Sequence, residues 1–105
     1  MEWEEKKVSK PGVDVRGIQP EILLAIQEAR EVYRAYDAKL VITSVKDGKH
    51  MPGSKHFTGQ AVDLRTRNLI SMNRARVAEA INRALGPQYD VVLEETHIHI
   101  EFDVK

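Results

Sequence analysis

The spacing of apolar residues along the chain predicts two amphipathic helices. In "PEILLAIQEAREVYRAYDA" apolar residues recur at helical spacing after a proline suited to a first helical position, which predicts a helix over about 20–37. "MNRARVAEAINRAL" has the same period. Ser71 is its predicted N-cap and Gly86 with Pro87 its stop signal, so the second predicted helix covers about 72–85.

Four short stretches rich in β-branched and aromatic residues predict strands. They are "LVITSV" at 40–45, "QAVDLRT" at 60–66, "YDVVLEE" at 89–95 and "HIHIEFDV" at 97–104. The last two lie so close together that we expect one hairpin, turning near Glu95 and Thr96. Helices and strands in this mixed order predict an α+β domain with two main helices and a small, mostly antiparallel sheet.

Between the first two predicted strands lies a long polar segment. Residues 46–58, "KDGKHMPGSKHFT", contain two glycines, a proline and several charged or polar groups, which is typical of a loop. Loops of this length within small domains are usually functional. We therefore expect this loop to contribute to a site.

Two of the predicted strands are polar on one side only. Side chains alternate between the faces of a strand, so Asp63 lies opposite its apolar neighbours, as do His97, His99 and Glu101 in the last strand. If the two polar faces meet, Asp63 and one of the strand histidines converge, and His56 of the loop can complete a three-ligand metal site.

Such a ligand set would suit a catalytic zinc ion. Two imidazoles and one carboxylate leave the fourth zinc position open for water, and the ion lowers the pKa of that water toward ~7, which favours hydrolysis. The residues alone leave an alternative open. A strand aspartate is often an exposed edge residue, and HxH pairs occur in exposed strands without binding metal.

Composition narrows the functional classes. The 105 residues suit a single domain, 1–105, in which we expect 1–12 to form a loosely ordered N-terminal segment. The 16 basic and 16 acidic residues balance, so we expect neither a nucleic-acid nor a membrane partner, and we expect a monomer. Because cysteine is absent, any metal must be bound by His, Asp or Glu. The N-terminus lacks an apolar signal-peptide region, which predicts a protein that is cytoplasmic on synthesis.

The stretch "SKHFTGQAVD", residues 54–63, resembles the SxHxxGxAxD signature of the zinc D-alanyl-D-alanine carboxypeptidase-like peptidases. The closing "HIH" is similar to the second metal motif of that family, and the resemblance extends over the chain from about residue 13. The Hedgehog signalling domain resembles the same scaffold. The resemblance therefore implies a Hedgehog/DD-peptidase-like fold, of the type found in small phage or bacterial members.

The resemblance implies a ligand set of His56, Asp63 and His99 for one Zn²⁺ ion. His97 would then lie beside the metal, where it would stabilise an oxyanion or hold substrate. In an alternative register His97 is the ligand instead of His99. The family places a catalytic acid just upstream of the metal histidine, which makes Glu94 the candidate general base.

Two further assignments follow from the resemblance. Glu95 is an alternative to Glu94 as the base. His50, Ser54 and Lys49 are candidate substrate-binding residues. The chain departs from the family at "TSVKDGKH", where many members have an arginine that binds the substrate carboxylate. Lys46 or Lys49 can supply a point charge there but no bidentate fork, so the departure bears on carboxypeptidase specificity more than on hydrolysis.

The resemblance implies a zinc metallopeptidase that hydrolyses stem peptides of bacterial peptidoglycan. It would act either as a D-Ala-D-Ala carboxypeptidase or as an endopeptidase of the endolysin type, and a holin-type pore is the expected route to the cell wall. The alternative is a non-catalytic zinc-binding interaction domain on the same scaffold. A third interpretation, a small structural protein with chance histidines, would make the match to the signature accidental.

Overall fold

A computed structural model describes residues 9–13, 18–47 and 60–103 as two helices and four strands. In chain order the elements are helix α1 (Pro20–Ala35), strands β1 (Ile42–Asp47) and β2 (Gln60–Arg65), helix α2 (Ser71–Leu85), and strands β3 (Tyr89–Leu93) and β4 (His97–Phe102). This arrangement confirms the predicted α+β class with two helices. In the described part of the chain, no helix is long and apolar enough to cross a membrane.

The helix ends follow local backbone preferences. Helix α1 begins at Pro20, as predicted, but ends two residues before the predicted 37, because Asp37 has a left-handed conformation with φ 58° that cannot continue the helix. Helix α2 ends at Leu85, as predicted, and the C-cap residue Gly86 has a φ of 84° that suits glycine.

The predicted N-cap of the second helix was wrong. The N-cap position is occupied by Ile70, with extended φ −62° and ψ 136°, and Ser71 is already helical. No side chain caps this end, and the backbone N–H of Asn73 donates to the Ile70 carbonyl instead.

The sheet is antiparallel throughout, with strand order β1-β2-β4-β3. Strand β1 begins two residues later than predicted, while β3 and β4 form the predicted hairpin. The backbone N–H of Glu94 donates to the His97 carbonyl at 2.8 Å and closes that hairpin. The chain passes through α2 between β2 and β3, so β4 returns to the centre of the sheet beside β2.

Both helices pack on one face of this sheet. The apolar residues of the two central strands on that face are fully buried, namely Val62, Leu64, Ile98 and Ile100. They pack with the buried residues of α1 and α2, which are Ile22, Ala25, Ile26, Ala29, Tyr33, Val77, Ala78 and Ile81. Complete burial of each large aliphatic side chain contributes about 1.5–3 kcal/mol, so this layer fixes the register of β2 against β4.

Candidate metal centre

The register of the two central strands brings the polar residues of β2 and β4 together. Asp63 is directly opposite His99, and Arg65 is opposite His97. The polar faces of β2 and β4 therefore do meet, which is the condition on which the three-ligand site depended. The meeting follows from the core, because burying Val62 and Leu64 toward the helices turns Asp63 to the other face.

Asp63 is the centre of this cluster. Its side chain is only 8% exposed, and burial of a carboxylate is costly unless hydrogen-bond donors or opposite charges surround it. His99 Nδ1 lies 2.8 Å from Asp63 Oδ1, and His97 Nε2 lies 3.6 Å from the same oxygen. Two imidazole nitrogens thus converge on one buried carboxylate oxygen.

The ring of His99 lies between two carboxylates. Its Nδ1 faces Asp63, and its Nε2 lies 3.2 Å from Glu101 Oε1, two residues further along β4. Burial of the ring lowers the pKa of His99, but the hydrogen bonds to Asp63 and Glu101 and the charges of both outweigh it, so the pKa is raised above 6.5. Both ring nitrogens can then donate, as an imidazolium does.

Sequence reasoning assigned no role to Glu101 at this site. The signal was present, since the alternating "HIHIE" places Glu101 on the same face as His97 and His99. Spacing alone does not show whether a side chain two residues away turns back toward its neighbour, and here Glu101 does so.

His97 connects the cluster to the turn before β4. The Thr96 hydroxyl lies 3.2 Å from His97 Nδ1, while Nε2 faces Asp63. A hydrogen bond at Nδ1 orients the ring, which leaves Nε2 directed at the carboxylate. The side chain of His97 is 28% exposed, so it remains accessible from solvent.

The donor set and its spacing are compatible with zinc. Tetrahedral zinc with bonds of about 2.0–2.2 Å holds neighbouring ligand atoms about 3.3–3.6 Å apart. The 3.6 Å separation of His97 and Asp63 already matches, and the 2.8 Å separation of His99 and Asp63 needs to open by less than about 1 Å.

The third predicted ligand, His56, lies outside the described residues. Within 9–13, 18–47 and 60–103, no three His, Cys, Asp or Glu side chains are arranged to hold a metal ion. The candidate substrate-binding residues Lys49, His50 and Ser54 also lie outside the described part. The described cluster therefore supplies two of the three predicted ligands, Asp63 and His99, with His97 beside them.

A cleft of about 410 Å³ opens next to His97. Glu95 and Thr96, from the turn between β3 and β4, line it together with His97. Glu94 is exposed, and its backbone closes the hairpin. Of the two carboxylates proposed as base, Glu95 is the one that lines this cleft beside the cluster.

Comparisons of the chain with protein-family models, with curated proteins and with solved structures found no match. The peptidase resemblance therefore rests on the sequence of residues 54–63 and of the closing "HIH".

Proposed function

We propose that this protein is a zinc-dependent peptidase that cleaves stem peptides of bacterial peptidoglycan, on a Hedgehog/DD-peptidase-like fold. The observation that carries the proposal is the convergence of His99 Nδ1 and His97 Nε2 on the buried Asp63 Oδ1. A carboxylate held at the centre of a sheet by two imidazoles is suited to binding a divalent cation. The signature-like stretch 54–63 supports the peptide substrate.

In this proposal Asp63, His99 and His56 are the zinc ligands. A zinc ion bound there would lower the pKa of a coordinated water toward about 7 and polarise the scissile carbonyl. Glu101 accepts a hydrogen bond from His99 Nε2 and so fixes the orientation of the imidazole whose Nδ1 faces Asp63.

Two further residues act on the peptide. His97 would donate a ring N–H to the oxyanion that develops on the attacked carbonyl, since its side chain lines the cleft. The position of Glu95 in the cleft supports it as the residue that accepts a proton during attack and returns it to the leaving amine. Glu94 is the alternative for the same role.

The test is elemental analysis of the purified protein, run alongside release of new amines from purified peptidoglycan. We expect about one zinc per chain and cleavage in the wild-type protein. Asp63→Asn should lose both zinc and cleavage. Asp37→Asn is the matched control and should retain both zinc and cleavage. It makes the same substitution at an exposed turn residue, and asparagine also tolerates the left-handed backbone conformation of that residue.

Glu95→Gln and Glu94→Gln distinguish the two candidates for the base. The variant that lacks the base should retain zinc and lose cleavage by at least about 100-fold, because general acid–base catalysis contributes 10²–10⁴-fold. Stoichiometric zinc without cleavage of any wall fragment would favour the interaction-domain alternative. A wild-type protein that binds no zinc would contradict both functions.

A further inference from the structure

The cleft beside His97 is rich in positive charge. Four cationic side chains line it in the described part of the chain, and Glu95 is the one carboxylate among the described lining residues. The cations are Lys10, Arg65, Arg67 and Arg74. They come from three separate segments of the chain, with Arg65 and Arg67 in one of them, so the tertiary fold brings the charges together.

Backbone hydrogen bonds position these segments. The N–H of Lys10 donates to the Ile42 carbonyl at 2.8 Å, and the N–H of Arg65 donates to the Val41 carbonyl at 2.9 Å, which sets both segments against the start of β1. The turn after β2 is closed by the Leu69 N–H, which donates to the Thr66 carbonyl at 2.8 Å. That turn carries Arg67.

No described residue neutralises the guanidinium groups of the cleft. Across the described residues, Arg65, Arg67 and Arg74 take part in no ion pair. The Nε atom of Arg74 is buried and has no hydrogen-bond partner. A buried N–H without an acceptor is costly, and in native proteins a water, an ion or a ligand commonly supplies the acceptor.

The lining also contains neutral donors next to these cations. Thr43, Thr66 and Thr96 line the same cleft, and of the three the Thr43 hydroxyl donates to the Asp63 carbonyl at 3.3 Å while that of Thr96 lies 3.2 Å from His97 Nδ1, which leaves Thr66 as the hydroxyl nearest in role to the cations. Thr43 reaches it because the register of β1 against β2 shifts between Ile42 and Ser44, which makes Thr43 an extra residue. Hydroxyl and guanidinium donors around one cavity provide the chemistry that binds a carboxylate or a phosphate group.

We propose that this cleft is an oxyanion subsite that binds a carboxylate or phosphate group of the ligand, with Arg74 and Arg67 as the principal donors. His97 borders the cleft and also lies 3.6 Å from Asp63, so a bound anionic group lies directly beside the candidate metal centre. The claim that the cleft selects an anionic peptide rests on the proposed function. The claim that the cleft binds an anion does not.

The test is NMR titration of the ¹⁵N-labelled protein, with and without zinc. The probes are a short peptide with a free C-terminal carboxylate, the same peptide amidated, and inorganic phosphate. We expect saturable shifts of the Thr66, Arg67 and Arg74 amides with the free-carboxylate peptide or with phosphate, and none with the amidated peptide. The anion that saturates the shifts identifies the source of the oxyanion.

Arg74→Gln and Arg67→Gln should each weaken binding about tenfold, the effect expected for losing one charge-assisted hydrogen bond. Arg76→Gln is the matched control, because Arg76 is exposed on the same helix and lines a different surface with Tyr36. Its affinity should be unchanged. The amide spectrum of each variant also shows whether it is folded.

Equal weakening in Arg76→Gln, or no saturable shift with either anion, would overturn the subsite. Binding is measured without cleavage, so the two proposals can fail separately. Anion binding in a protein that binds no zinc would support the subsite while contradicting the peptidase. Zinc-dependent cleavage without anion binding would support the peptidase while contradicting the subsite.

Discussion

Asp63 shows how a costly residue is accommodated in the sheet. A carboxylate with an 8% exposed side chain would destabilise the fold if nothing faced it. His99, directly opposite on β4, supplies a donor at 2.8 Å, and His97 supplies a second nitrogen at 3.6 Å. The same groups that make burial tolerable are those that a metal ion would use.

The pKa of His99 is expected to lie above its ordinary value in the metal-free protein. Burial lowers the pKa of His99, but the hydrogen bonds to Asp63 and Glu101 and their charges raise it further, with a net increase above 6.5. Titration of the His99 ring signals by NMR measures this value. Glu101→Gln should lower the pKa of His99, because it removes one of the two negative charges.

The direction of the effect on stability follows from linkage. A raised pKa means that the folded state binds the proton more tightly than the unfolded chain. The stabilisation from His99 is therefore complete below about pH 6.5 and is lost as the pH rises through the folded-state value. A His99 pKa at or below 6.5 in the metal-free protein would contradict the hydrogen-bonded arrangement.

At the scale of elements, helix α1 is tied to the strand that carries Asp63. Tyr33 is fully buried, and its hydroxyl donates to the Arg65 carbonyl at 2.8 Å. Arg65 is the last residue of β2, and its side chain lines the cationic cleft. One hydroxyl therefore links the core layer to the end of the strand where cluster and cleft meet.

Tyr33→Phe should destabilise the protein by about 1 kcal/mol, because it removes this hydrogen bond without changing the apolar packing. Urea unfolding measures the free energy. Tyr36→Phe is the matched control three residues further along the chain, because the Tyr36 hydroxyl has no hydrogen bond within the described residues. This variant should change the free energy of unfolding by less than about 0.5 kcal/mol.

The same pair of variants has a pH signature. Burial raises the pKa of Tyr33 above its ordinary value of 10.0. The neutral hydroxyl therefore contributes stability that is complete below about pH 10 and is lost as the pH rises further. The difference between wild type and Tyr33→Phe should narrow above that pH, and a constant difference would contradict the buried donor.

At the scale of the whole molecule, the candidate site lies on one face of the sheet because the other face is covered by the helices. Both helices cover one face, and the polar residues of β2 and β4 occupy the other. Core and candidate metal centre alternate residue by residue along β4, with Ile98 and Ile100 on one side and His97 and His99 on the other. Binding of a metal ion at this cluster would thereby be coupled to the stability of the entire sheet.

Zinc should raise the Tm of the wild-type protein, because a ligand that binds only the folded state stabilises it. At a free concentration of 100 times Kd the gain is about 2.7 kcal/mol, which corresponds to a Tm increase on the order of 10 °C for a domain of this size. Calorimetry with zinc and with a chelator measures the difference.

His99→Ala should abolish that difference. Val92→Ala is the matched control, since Val92 is exposed and lies directly opposite His99 in β3, and it should preserve the zinc-induced increase. A Tm that is the same with zinc and with chelator in the wild-type protein would contradict a folded-state metal site.

The sequence by itself determined the elements and the faces of the strands. Apolar periodicity predicted both helices, closely spaced strand-like stretches predicted the β3–β4 hairpin, and alternation placed Asp63 opposite its apolar neighbours in β2, as it did His97 and His99 in β4. These features depend on interactions between residues close in the chain. The cap at Ile70 and the early end of α1 were not predicted, since they depend on single backbone angles.

Only the tertiary structure decided the order of the strands and the composition of the site around Asp63. Asp63 lies opposite His99 and not opposite His97 because of the register of β2 against β4, which the shared core sets. The meeting of Lys10, Arg67 and Arg74 joins residues that no local pattern connects, and the contact of Glu101 with His99 depends on a side-chain orientation that alternation alone does not give. Local periodicity determines which way a side chain faces, but packing between distant segments determines what it meets.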